Sequence, residues 1–124
     1  MRCPCRKKSE TVAYADCCQP LHDGVRAAVT AEALMRSRYA AFALNNARYL
    51  SATWHPSTHP AEITFTTGQE WLGLRIVAAR TEGDTATVEF IARSRIGGST
   101  DALHETSRFR REGGKWFYID GVIS

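Results

Sequence analysis

Apolar positions fall into two regimes along this chain, a helical one followed by an alternating one. Met35, Tyr39, Phe42 and Ala43 recur at helical spacing, with Arg36 and Asn46 on other faces, which predicts an amphipathic helix. Thr30 is placed to cap that helix, Glu32 favours the dipole in its first turn, and Asn45-Asn46 marks its stop. A second short helix is predicted from Ala47 to Trp54. The run His55-Pro56-Ser57-Thr58-His59-Pro60 then reads as a loop, because each proline removes a backbone donor and restricts its predecessor. From Trp71 the texture turns β-branched and alternating, with strands predicted at 73–81, 85–96, 102–111 and 116–123. Glu82-Gly83-Asp84, Gly97-Gly98-Ser99 and Gly113-Gly114 separate them as turns. Helices first and an antiparallel meander afterwards predict an α+β fold, with the helices on one face of a curved sheet.

Residues 1–23 fit neither regime. They are rich in Cys, Lys, Arg and Pro without a sustained period, so their order is expected to come from a metal rather than from a core. Crowding Cys3, Cys5, Cys17 and Cys18 into this stretch favours metal ligation over disulfides in a reducing compartment. Four thiolates satisfy the closed tetrahedral coordination of structural Zn2+, with His22 as a competing fourth ligand in place of Cys18. Such a centre has formal charge −2, which Arg2, Arg6, Lys7 and Lys8 would offset. The domain division expected is therefore a zinc knuckle at 1–23 and one globular α+β domain at 24–124.

Composition narrows the remaining possibilities. With 124 residues and 44% hydrophobic content, the chain can bury a single core. Sixteen Lys and Arg against thirteen Asp and Glu leave a net charge of +3, and the zinc centre already accounts for the basic N-terminus, so nucleic acid is not expected as a partner. No apolar run reaches the ~20 residues of a spanning helix, and no signal-peptide pattern follows Met1-Arg2. A cytoplasmic protein with no membrane partner is expected.

Cys3-Pro4-Cys5 and Tyr14-Ala15-Asp16-Cys17-Cys18 resemble the SEC-C zinc motif, which is also found at the C-terminal tip of the SecA translocase motor. Together with Ser37-Arg38-Tyr39-Ala40-Ala41-Phe42, Tyr49-Leu50, Thr53-Trp54 and Tyr118-Ile119-Asp120-Gly121, nearly the whole chain resembles the YchJ-like family. The usual Gly-Ser-Gly segment is missing here, and Arg6 to Asp16 is longer than the common spacing. The resemblance implies a nuclear-transport-factor-2-like, cystatin-like domain: a bent antiparallel sheet wrapped over helices into a cone open at one end. It implies no activity, since that family has none assigned and such cones host enzymes, binders and adaptors alike.

A two-residue turn at Gly113-Gly114 would pair Glu112 with Lys115, Phe109 with Tyr118, Ser107 with Asp120 and Glu105 with Val122. That register puts Glu105, Ser107, Phe109, Trp116, Tyr118 and Asp120 on one face, and His104, Arg108, Arg110, Phe117 and Ile119 on the other. The first face, with Tyr39 beneath it and Trp54 at the mouth, is the candidate ligand pocket. Glu105 and Asp120 would be its acid and base, against the plain alternative that carboxylates near strand ends are solvated. The histidines His55 and His59 lack acidic or thiol neighbours in sequence, and no nucleophile triad or phosphate loop is present. Two functions compete: an adaptor that contacts a protein partner through the zinc knuckle, and a cone that binds or converts a small molecule using Glu105 and Asp120.

Overall fold

The computed structural model describes residues 1–7 and 9–124; Lys8, one of the basic residues expected to offset the zinc charge, lies outside them. A 3-10 turn at Tyr14–Asp16 and a short helix α1 (Gln19–His22) precede the main helix α2 (Ala31–Ala43) and helix α3 (Ala47–Ala52). Four strands follow, β1 (Gln69–Glu82), β2 (Thr85–Ile96), β3 (Ser99–Glu112) and β4 (Lys115–Ile123). They pair consecutively and antiparallel, as a meander in the order β1-β2-β3-β4.

Local chemistry accounts for the helix boundaries. The Thr30 hydroxyl accepts from the Ala33 amide at 3.0 Å, satisfying a donor that the first turn leaves free. The chain leaves α2 through Asn45, which has φ 55°, a conformation that asparagine tolerates better than most residues. Asn46 then caps α3 by accepting from the Tyr49 amide at 3.1 Å. Helix α3 stops at Ala52, short of the expected Trp54, because the next residues leave to join the sheet. The amide of His55 donates to the Tyr118 carbonyl and the amide of Tyr118 to the Thr53 carbonyl, each at 2.8 Å. This short parallel bridge of Trp54 to Tyr118 covers the outer edge of β4.

The sheet buries one face. Ala86, Val88, Phe90, Ala92 and Ser94 alternate into the interior along β2, and their β3 partners Phe109, Ser107, Glu105 and Leu103 share that face. Leu34, Met35, Tyr39, Ala40, Ala41 and Leu50 pack beneath them in one core. Register shifts between Trp71 and Gly73, between Ile76 and Ala78, and beside Arg108 and Phe109 bend these long strands around the helices. Gly113 and Gly114 both have positive φ (58° and 79°), which a two-residue hairpin turn requires of its central residues.

Helix α2 is buried on two sides, with one side to the sheet and the other to the N-terminal segment. Ser37 is fully buried and its hydroxyl bonds the Tyr49 hydroxyl at 2.6 Å. The Ser37 carbonyl accepts from His22 Nε2 at 2.8 Å, and Arg36 Nη1 donates to the Cys5 carbonyl at 3.1 Å. Cys3, Cys5 and Cys18 are contiguous with the apolar core, so residues 1–23 dock against α2.

Candidate metal centre and cone cavity

The N-terminal segment is folded by backbone pairing at its base. Arg2 bridges Ala13, and the Cys3 amide donates to the Val12 carbonyl at 2.9 Å, which brings the two ends of the segment together. That pairing accommodates the long Arg6-to-Asp16 spacing without separating the two cysteine pairs. The four thiols converge: sulfur distances are 3.6 Å for Cys3–Cys5, 3.6 Å for Cys5–Cys17, 3.7 Å for Cys5–Cys18 and 3.9 Å for Cys17–Cys18. All four sulfurs lie within 4.8 Å of one another and none is in a disulfide. A tetrahedron of thiolates at ~2.3 Å from a metal has edges of about 3.8 Å, so the donor set fits a tetrahedral ion.

Electrostatics around the sulfurs points the same way. Hydrogen bonds from Cys18 and Cys5 hold the Cys3 thiol well below its ordinary pKa. Those shared with Cys3 and Cys5, together with burial, push Cys18 far up. Close packing thus lets one thiol ionise at the expense of its neighbours, a conflict that a divalent cation removes. Arg6 Nε donates to Cys17 Sγ at 3.4 Å, and that bond holds the guanidinium charge firmly.

His22 is excluded as a ligand. Its Nδ1 shares a 2.6 Å hydrogen bond with the Tyr14 hydroxyl, its Nε2 bonds the Ser37 carbonyl, and its ring packs 4.6 Å from that of Tyr49. Both nitrogens are engaged, and Cys18 fills the fourth corner. The role sequence reasoning missed for His22 is that of a peg between knuckle and helix.

The second site is a cavity of about 230 Å3 under the sheet. Of the residues expected in a pocket, Tyr39, Trp54, Glu105, Ser107 and Tyr118 line it. Phe109 is buried behind Tyr118, with ring centroids 5.8 Å apart. Two of the expected residues are elsewhere. Trp116 is buried, but it lines a different depression together with Leu21 and His22, and Arg111 stacks over its ring. Asp120 lies on the opposite face of the sheet, where its carboxylate takes two hydrogen bonds from Arg108, each 2.6 Å. That guanidinium holds the Asp120 carboxyl below its ordinary pKa.

A bulge causes the exchange. Phe109 pairs with Tyr118 and Glu112 with Lys115 as the turn demands, but Arg108 pairs with Asp120, leaving Ile119 as an extra residue on β4. Thr58 donates its hydroxyl to the freed Ile119 carbonyl. Beyond the bulge every β4 side chain changes face, so Ser107 meets Gly121 and Glu105 meets Ile123. Gly121 leaves the room in which the Glu105 side chain lies, and Ser107 Oγ donates to that carboxylate at 3.1 Å. An acid–base pair of Glu105 and Asp120 is thereby ruled out.

Sequence reasoning also missed Arg38, the basic residue of this cavity's lining. Arg38 is only 2% exposed, and its guanidinium carbon lies 4.4 Å from the Tyr118 ring centroid and 4.8 Å from that of Trp54. A signal was available, because Arg38 falls between Met35 and Phe42 within the apolar stripe of α2. Burial lowers its pKa to about 10 and raises that of Tyr118 to about 12, so Arg38 is charged and Tyr118 neutral at pH 7.

Comparison with known proteins places this geometry. A family model described as the YchJ middle NTF2-like domain matches residues 30–121. A UPF0225 protein of Polaromonas naphthalenivorans is 46% identical, over 96% of this chain and 95% of its own length. One from Bordetella pertussis is 49% identical, over 98% and 92%. The solution structure of a SEC-C motif containing protein from Rhodopseudomonas palustris superposes with a TM-score of 0.88 at 37% identity, covering 100% of this chain and 99% of that one. The crystal structure of a SEC-C motif containing protein from Psychrobacter arcticus gives 0.84 at 31% identity, covering 100% and 83%.

Proposed function

This chain belongs to the YchJ-like, UPF0225 family, and from that premise we propose that it is a zinc-binding adaptor whose metal knuckle contacts a protein partner. The observation that carries the metal is the thiol geometry: four sulfurs within 4.8 Å of one another, four of their separations at 3.6–3.9 Å, with Arg6 donating to one of them. Zinc is the choice among divalent ions because an all-thiolate tetrahedron is its ordinary structural site. Cys3, Cys5, Cys17 and Cys18 would hold it, and with four protein ligands no coordination position remains for substrate. The centre therefore serves architecture rather than catalysis.

Support for contact with a partner comes from the outer side of the knuckle. A depression of about 380 Å3 runs beside Cys17 and is lined by Leu21 and Val29 among Arg6, Arg26 and Arg36. Val29 in that lining is 83% exposed and Val25, in the adjoining depression that shares Leu21 and Arg26 with it, is 79% exposed; apolar surface beside these arginines suits an acidic, amphipathic segment of another protein. Four clustered cysteines outside any disulfide support our assignment to a reducing compartment, the cytoplasm.

Metal analysis of reduced protein purified without chelator tests the first half, with one zinc per chain expected and none refuting it. Cobalt substitution should then give the charge-transfer spectrum of tetrahedral thiolate. For the second half, a photo-crosslinker at Val29 should capture a discrete partner in cells, and Val29→Glu should abolish capture by a crosslinker placed at Val25. Equal crosslinking from an outer strand position such as Arg93 would remove the case for an adaptor surface.

A further inference from the structure

We infer that the cone cavity is a binding site for a small planar monocarboxylate, held by the free edge of the Arg38 guanidinium. This goes beyond the zinc reading and does not depend on it.

Arg38 is a buried cation that no carboxylate among the described residues pairs with. Its Nη1 donates to the Leu50 carbonyl at 3.0 Å and to Thr53 Oγ1 at 2.7 Å. Its Nε and Nη2 make no hydrogen bond among the described residues, and none of the ion pairs there includes Arg38. Contact with the Trp54 and Tyr118 rings offsets part of the burial cost but satisfies neither N–H edge. Nε and Nη2 form the side-on edge of the guanidinium, two parallel donors spaced to match the two oxygens of a carboxylate.

A buried orphan donor lies in the same wall. The indole Nε1 of Trp54 is buried and has no hydrogen-bond partner, and Trp54 lines the cavity with Arg38. A buried donor without an acceptor is rare in folded proteins, and the Trp54 indole beside the unpaired edge of Arg38 marks a place built for an acceptor group.

The rest of the lining describes the body of the ligand. Tyr39, Phe42 and Trp71 offer flat apolar surface, which suits a ring or a short branched chain. The volume of about 230 Å3 is below the ~300–1,000 Å3 of sites for drug-sized molecules, so the ligand is small. Glu105 is the one acidic residue of the lining; it disfavours a dianion and favours a ligand carrying a hydroxyl or amine. A neutral molecule of the same shape leaves the Arg38 edge unpaired and loses the charge-assisted part of the affinity.

Benzoate is a suitable probe, with benzamide as its neutral isostere. Titrated into the 15N-labelled full chain at constant ionic strength, benzoate should shift the Trp54 indole N–H resonance saturably and bind at least about tenfold more tightly than benzamide. Arg38→Lys keeps a cation but loses the fork, and should weaken benzoate by about tenfold while leaving benzamide unchanged. If Arg38→Lys does not fold, the benzoate and benzamide contrast in the unaltered protein decides alone. Absence of a saturable Trp54 shift, or equal affinities for the two probes, overturns the inference.

Discussion

Replacing His22 by alanine separates a structural peg from a metal ligand. The substitution removes the hydrogen bonds to the Tyr14 hydroxyl and to the Ser37 carbonyl, together with ring contacts to Tyr14 and Tyr49 at centroid separations of 5.5 and 4.6 Å. Neither partner is stranded, since Tyr14 is only partly buried and Ser37 sits in the middle of α2, where its carbonyl retains the helical bond. The loss is then the net value of two hydrogen bonds, about 2 kcal/mol, plus about 1–2 kcal/mol for the vacated aromatic packing. His22→Ala should therefore lower unfolding stability by about 3–4 kcal/mol, and His22→Phe, which restores ring volume without the bonds, by about 2 kcal/mol. Urea denaturation at saturating zinc, followed by circular dichroism, measures both. Metal content is the decisive companion readout, because zinc should remain at one per chain in each folded variant. A variant that loses zinc at nearly unchanged stability would show that His22 is a ligand and that the thiol tetrahedron has been misassigned.

Three further outcomes follow from the geometry. Thr30→Ala should cost about 1 kcal/mol in the same assay, since it removes the side-chain acceptor of the Ala33 amide. Gly121→Ala should leave the sheet intact yet displace the Glu105 carboxylate, because a Cβ there would stand 2.6 Å from Glu105 Cδ; a crystal structure of the variant with Glu105 unmoved would contradict the packing described. The folded Asp120 carboxyl is held low by Arg108, so its contribution to stability is present above the unfolded pKa of about 3.9 and is lost as pH falls through the lower folded value. Asp120→Asn should accordingly be less stable than the parent at neutral pH and low salt, and the difference should vanish in strong acid or at high ionic strength.

The parts of this protein legible in sequence are those whose physics is local. Thr30 caps α2 with its own side chain, Asn45 and Asn46 end that helix, Gly113 and Gly114 supply the left-handed turn, and alternation along β2 sets its buried face without reference to any other segment. The cysteine cluster was legible for a related reason: thiol ligands carry their chemistry in the residue type, and their spacing is short. The cavity was only half legible. Counting outward from the turn placed Phe109 opposite Tyr118, but two residues on, the count placed Asp120 inside, whereas the inner position belongs to Gly121. No local feature announces that slip, because the bulge at Ile119 is secured by Thr58, about sixty residues earlier in the chain. Arg38 is a similar case. Its place in an apolar stripe could be read from α2 alone, but a buried charge is tolerable only where other segments supply carbonyls and aromatic faces. Leu50, Thr53, Trp54 and Tyr118 reach it only after α3 ends and the chain crosses onto β4. Register and burial of charge depend on contacts between distant segments, so they were decided by the tertiary structure.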